Sequence, residues 1–293
     1  MLTKIPEFNF LKATSVDEAL RLIATHSNYK LLAGGTDLLM DLRIGRYKPE
    51  VVIDISKVME LKYIKDLGDK IAIGSLTTLQ EVLESPVVRG KAPVLVEAVS
   101  NMASWQIRNM ATLGGNLCNA SPAADTAPPL MVLNASLKLR SLSKGERVVN
   151  VNEFFLGPRQ TVLEKGEMLT EVEIPYVKDA GQSYLKLGRR NAFTLSIVSV
   201  ASLVKVEDGR FKEVRVALNS VAPTPVRARS VEQALIGKEV SYEAVVKASN
   251  EVIHDISPIS DVRASAEYRR KVSIVLVRDS ILKSLSGLGI NVR

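Results

Sequence analysis

Asp208-Gly209 separates two long β-branched runs, residues 196–206 and 211–220, and no other feature of this 293-residue sequence restricts the fold as tightly. An Asp-Gly pair tolerates positive φ at both central positions of a two-residue turn, so the runs are expected to pair as antiparallel strands. Pro223 and Pro225 then end the sheet, and residues 231–235, 242–253 and 264–285 carry helical patterning. Within the last of these, Ile274, Val277, Ile281 and Leu285 are spaced for one buried face. From about residue 177 onward the expectation is an antiparallel meander of three strands followed by a helical cluster.

The preceding chain has a different character. A strand-poor N-terminal segment leads to Ser15, which with Glu18 three residues later gives a capping box for a helix over residues 16–25. A short strand over 29–33 stops at Gly34-Gly35, Thr36-Asp37 is placed to cap a turn of helix through Met40, and 51–55 is another strand. A second unit runs from about 56 to 175. It has strands near 62–65 and 70–73, a helix opened by Thr77 with Gln80 three later, and a helix from Pro93 to about Ala103. A hairpin turns at Ser143-Lys144-Gly145-Glu146, and a strand over 168–174 is stopped by Pro175.

Composition narrows the function classes. One cysteine, Cys118, leaves no internal disulfide and no iron–sulfur or Cys-rich zinc site built by this chain alone. His26 and His254 lie far apart without a ligand pattern, so no metal residue is assigned. The net charge of +7 is spread without basic-aromatic interleaving, and aromatics are only 5%, which argues against nucleic-acid binding. No apolar run reaches the roughly 20 residues of a membrane span, and no signal-peptide pattern follows Met1; a cytoplasmic location without membrane insertion is the expectation.

Two glycine pairs carry the chemistry. The first is Leu32-Ala33-Gly34-Gly35-Thr36-Asp37 and the second Thr112-Leu113-Gly114-Gly115-Asn116. Without Cβ, successive backbone N–H groups can converge on an anion, and Thr36, Thr112 and Asn116 add short neutral donors suited to a pyrophosphate. Each pair also reads as a plain tight turn. Gly115 is expected at positive φ against a phosphate oxygen, within an irregular ligand-lining loop from Thr112 to Asp125. Asp125 reads either as an acceptor for ligand hydroxyls or as a first-turn acid of the helix that follows. The Rossmann and Walker patterns are both absent.

Ala33-Gly34-Gly35-Thr36-Asp37-Leu38, Thr112-Leu113-Gly114-Gly115-Asn116 with Ser121-Pro122-Ala123-Ala124-Asp125, and Ile174-Pro175-Tyr176 followed by Lys186-Leu187-Gly188-Arg189-Arg190 together resemble the FAD-binding medium subunit of molybdenum hydroxylases. That group includes carbon monoxide dehydrogenases, aldehyde oxidoreductases, nicotinate dehydrogenases and the flavin segment of xanthine dehydrogenase. The resemblance runs end to end. It implies an α+β, vanillyl-alcohol-oxidase-type (PCMH-type) FAD-binding fold of two α/β subdomains, residues 1–55 and 56–176, and a C-terminal three-stranded antiparallel sheet with a helical cluster, residues 177–293.

The same resemblance implies site residues. Leu31, Leu32, Ala33, Gly34, Gly35, Thr36, Asp37 and Leu38, with Thr112, Gly114, Gly115 and Asn116, would hold the FAD pyrophosphate noncovalently, and Asp125 the ribityl or adenosine hydroxyls. Leu169 and Lys186 match cofactor-lining positions, and Phe193 a mobile residue over the isoalloxazine. Met102 stands where the family often places an aromatic. No catalytic residue is assigned, because substrate oxidation would belong to a large molybdopterin-binding subunit. Electrons would arrive from a small 2Fe–2S subunit, in a heterotrimer compatible with a higher-order dimer. The alternatives are a self-sufficient flavin oxidoreductase of the same fold and a binding module without redox activity. Against the former, no His or Cys is placed in a glycine loop to attach flavin, and no general-base cluster is evident.

Overall fold

The computed structural model describes residues 4–292. Its first sheet contains β1 (Asn9–Lys12), β2 (Tyr29–Leu32) and β3 (Val51–Asp54) in the order β1-β3-β2, with both pairings parallel. Central β3 is an apolar run, and Val51, Val52 and Ile53 are all buried. β1 departs from the strand-poor expectation. Its Asn9, Phe10 and Lys12 are exposed, so its own pattern is silent; it forms because β3 needs main-chain partners on its second edge. α1 (Val16–Thr25) starts where expected, with Glu18 N donating to Ser15 Oγ at 3.2 Å, and packs Val16, Ala19, Leu20 and Ile23 into a small core. α2 (Leu38–Arg43) lacks the expected side-chain cap, since Asp37 is itself in helical conformation.

Five antiparallel strands form the middle sheet. They are β4 (Ile64–Asp66), β5 (Lys70–Gly74), β6 (Ser136–Ser141), β7 (Gly145–Asn150) and, after a small hairpin of β8 (Phe155–Gly157) and β9 (Gln160–Thr161), β10 (Glu167–Pro175). The order is β4-β5-β10-β6-β7. The helices of this unit are α3 (Leu79–Glu84), α4 (Pro86–Lys91), α5 (Pro93–Ser100), α6 (Trp105–Met110), α7 (Leu113–Asn119) and α8 (Ala127–Val132). The capping box of α3 is Thr78 with Glu81, one residue later than predicted; Thr77 Oγ1 instead donates to Tyr63 O at 2.9 Å. α5 opens on Pro93 and ends at Ser100, before left-handed Ala103 (φ 44°).

The expected irregular loop after Thr112 is largely the helix α7. Glycine disfavours a helix, but Thr112 Oγ1 accepts from Gly115 N at 3.0 Å, and Leu113 and Leu117, four residues apart, are wholly buried. Left-handed Ala120 (φ 45°) ends it.

The C-terminal unit pairs β11 (Gly181–Leu187), β12 (Val198–Glu207) and β13 (Arg210–Asn219) as a meander. Asp208 and Gly209 both take positive φ, 51° and 71°. A two-residue β14 (Val226–Arg227) pairs with β13, so the sheet has one short strand beyond the three expected. α9 (Arg229–Leu235), α10 (Tyr242–Asn250) and α11 (Ala266–Gly287) follow. On α11, Val277, Ile281 and Leu285 are wholly buried, whereas Ile274 is only partly covered. Serines share the buried face: Ser280 and Ser284 bond the hydroxyls of Ser183 and Ser202 at 2.7–2.8 Å. Small residues bring the backbones together, and a Cβ on Gly181 would lie 1.9 Å from Ser284 O. Among the described residues no helix is long and apolar enough to cross a membrane.

Candidate functional site

The first glycine pair joins β2 to α2. Gly35 takes φ +72°, which an L side chain resists, and a Cβ on Gly34 would stand 1.8 Å from the Met110 carbonyl oxygen. The strand-to-helix turn is thereby pressed against the end of α6. Among the described residues, the N–H groups of Gly34, Gly35, Thr36 and Asp37 donate to no backbone carbonyl. They are orphan donors of a helix approach, the kind of group that takes an anion.

The second pair lies in the first turn of α7 and its donors are spent. Leu113 N bonds Thr77 O at 3.0 Å, Gly114 N bonds Ser75 O at 2.9 Å, Gly115 N bonds Thr112 Oγ1 at 3.0 Å, and Asn116 N bonds Thr112 O at 3.0 Å. Gly115 is helical and not at positive φ, which corrects the expectation for it. What glycine provides here is closeness: a Cβ on Gly114 would be 2.6 Å from Ser75 Cβ and 2.7 Å from Ser75 O. Asn116 Oδ1 accepts from Thr126 at 2.6 Å, which fixes its amide.

Between the two pairs lies a cavity of about 480 Å³, a size usual for small-molecule sites. Leu31, Ala33, Gly34, Gly35, Thr36, Asp37, Leu38, Thr112, Gly114, Gly115, Asn116 and Leu169 all line it. The structure does not bring the other expected residues there. Leu32 packs under the turn, its Cδ1 at 3.0 Å from the Cβ position of Gly35. Met102 is in the middle core, and Phe193 is exposed on the turn between β11 and β12.

Asp125 and Lys186 are joined to each other instead. Asp125 Oδ2 pairs with Lys186 Nζ at 2.6 Å, and Oδ1 accepts from Tyr184 Oη at 2.7 Å and Ser196 Oγ at 2.5 Å. Both charged side chains are about 95% buried, which ties the loop before α8 to the C-terminal sheet. Burial and the neighbouring carboxylate push the Tyr184 hydroxyl well above its ordinary range.

Sequence reading missed several lining residues: Lys30, Asp41, Tyr47, Arg159 and the stretch from Leu163 to Lys165. Lys30 Nζ sits over the Tyr47 ring at 3.9 Å, and desolvation lowers its pKa. Desolvation also raises the Asp37 carboxyl, against the pull of Arg159. Cys118 does line the cavity, but burial pushes its thiol up to about 12, so it stays protonated and unreactive at neutral pH. The observations fit a dinucleotide diphosphate: uncommitted N–H groups at one glycine turn, both glycine pairs lining the cavity, and apolar Leu31, Leu38 and Leu169 nearby.

Comparison with known proteins agrees. Residues 6–177 match the family described as the FAD binding domain in molybdopterin dehydrogenase, and residues 183–284 the CO dehydrogenase flavoprotein C-terminal domain. The glyceraldehyde dehydrogenase medium chain of Sulfolobus acidocaldarius is 36% identical, over 92% of this chain and 96% of that one. The carbon monoxide dehydrogenase medium chain of Hydrogenophaga pseudoflava is 31% identical, over 94% of this chain and 96% of that one. A solved structure of carbon monoxide dehydrogenase from that organism superposes with a TM-score of 0.94 at 32% identity, covering 97% of this chain and 99% of that one. With both halves of the chain matched in order and the glycine-walled cavity in place, the protein belongs to the FAD-binding medium subunits of the molybdenum hydroxylases, the family of carbon monoxide dehydrogenase and xanthine dehydrogenase.

Proposed function

We propose that this chain is the electron-transfer subunit of a heterotrimeric molybdenum hydroxylase, made of three units at residues 1–55, 56–176 and 177–293. FAD held in the cavity would supply the redox chemistry, linking a 2Fe–2S cluster on a small partner subunit to an external acceptor. Substrate is oxidised on a large molybdopterin-bearing partner of aldehyde or carbon monoxide dehydrogenase type, a choice supported by the names of the relatives above. A dimer of heterotrimers in the cytoplasm is the assembly this reading favours.

The observation that carries the reading is the Gly34-Gly35 turn, whose residues line the cavity and whose N–H groups have no backbone acceptor. Gly34, Gly35, Thr36 and Asp37 would take the diphosphate oxygens, with Thr112 and Asn116 facing them from α7. The purified chain should bind one FAD, and acid or heat should release all yellow colour to the supernatant; flavin left on the precipitate contradicts noncovalent binding. Photoreduced protein should reduce artificial dyes, while aldehydes or carbon monoxide added without partner subunits should leave the flavin spectrum unchanged. Direct bleaching by an aldehyde or hydroxy acid would favour the self-sufficient flavin oxidoreductase.

A further inference from the structure

Most of the cavity wall comes from three chain segments: residues 27–41, 111–119 and 159–169. One side chain touches all three. Arg159 heads the third segment at the tip of the β8–β9 hairpin, held at φ +61°, with its backbone N donating to Ala120 O at 2.8 Å. Its Nη1 donates to Asp41 Oδ2 on α2 at 2.7 Å and to Asn119 Oδ1 at the end of α7 at 2.7 Å. Asp41 is 4% exposed, and its other oxygen is taken by Arg46. Two guanidiniums thus share one carboxylate, and the trio keeps a net positive charge; Lys30, Lys165 and Asp37 face the same space, as do Glu164 and Glu167, which are paired with Lys144 and Arg147.

A guanidinium carries five N–H donors in a rigid plane. Among the described residues, Nε and Nη2 of Arg159 have no hydrogen-bond partner, although the side chain lines the cavity and is only 29% exposed. We infer that Arg159 is a positioning residue for the cofactor diphosphate: Nη1 fixes the spacing of the two glycine walls, and the remaining donors and charge meet the phosphate oxygens. This rests on the FAD reading above, and neither the glycine motifs nor their resemblance points to it.

The test uses the full chain and three probes: FAD, ADP, which shares the diphosphate, and riboflavin, which has no phosphate. Wild-type affinity for FAD is measured first; its absence would overturn the FAD reading itself. Arg159→Gln should then weaken FAD and ADP by about tenfold to a hundredfold, the range for losing charge-assisted hydrogen bonds. It should weaken riboflavin far less than FAD or ADP and flatten the dependence of FAD affinity on salt. Arg159→Lys, which keeps the charge without the fork, should recover part of the loss. Arg46→Gln removes the guanidinium on the outer side of Asp41, outside the cavity lining, and should stay within a few-fold of wild type. Unchanged FAD and ADP binding in Arg159→Gln would overturn the inference alone. Equal loss of ADP and riboflavin would also overturn it, because the side chain would then hold the walls without meeting phosphate.

Discussion

At Gly34-Gly35 the chain turns through positive φ and leaves a row of N–H groups without carbonyl partners, whereas at Gly114-Gly115 the chain is helical and each N–H already has an acceptor. The dipeptides are identical and lie across one cavity from each other. Only the first can offer main-chain donors to an anion; the second supplies a wall with no Cβ, pressed against Ser75. Glycine pairs therefore report a missing side chain. Whether the gain is conformational freedom, free donors or close approach depends on the hydrogen bonds around each pair.

Substitutions can break this contrast. The largest effects should come from the two glycines under steric constraint. In Gly34→Ala the added methyl meets Met110 O, and in Gly114→Ala it meets Ser75 Cβ and carbonyl oxygen. Main chain cannot step aside cheaply, so each should lose about 3 kcal/mol or more in urea unfolding. A loss below about 1 kcal/mol would show that the walls relax.

Smaller and opposite effects should separate Gly35 from Gly115. Gly35→Ala must hold φ +72° and should lose about 1–2 kcal/mol together with most FAD affinity, since the donor row shifts with it. In Gly115→Ala the methyl approaches Thr112 Oγ1 at 2.8 Å. Weakening that cap costs about 1 kcal/mol, which the helix preference of alanine over glycine offsets, so stability should change little and FAD affinity by only a few-fold. Calorimetric titration reads both, and equal losses of FAD affinity would erase the distinction.

The smallest effect concerns pH. Asp37 is the titratable group of the first turn, and desolvation already raises its carboxyl above the ordinary value. A nearby diphosphate must raise it further, so protonation and FAD binding favour each other: affinity should increase as pH falls from neutral toward the carboxylate range. Asp37→Asn should flatten that profile. The second turn has no carboxylate or histidine, and its Cys118 titrates far above neutral pH, so Thr112→Ala should leave the profile's shape alone. A slope that survives Asp37→Asn would assign the proton elsewhere.

Much of this is legible in the sequence. The Asp208-Gly209 hairpin, the Ser15 cap and the Pro93 helix start are local signals with local causes, and the structure carries each one. β1 was not legible, because its strand character belongs to the partner β3 and not to Asn9-Phe10-Leu11-Lys12. Nor was α7: its glycines argue against a helix, and only burial of Leu113 and Leu117 reverses that. Half of the cavity was visible as glycine motifs. Lys30, Asp41 and Arg159 were not, since ordinary charged residues acquire a role here only when a turn and a hairpin bring them together. Asp125 and Lys186 show a further limit: sequence spacing carries no sign that the fold joins them as one buried pair.

Hydrogen–deuterium exchange with and without FAD tests the central claim directly, because it reads the N–H groups on which the contrast rests. On adding FAD, peptides spanning residues 33–38 should gain strong protection as uncommitted donors acquire phosphate acceptors. Peptides spanning 113–118 should change little, their donors being bonded already. Protection appearing at 113–118 while 33–38 continues to exchange freely would contradict the account.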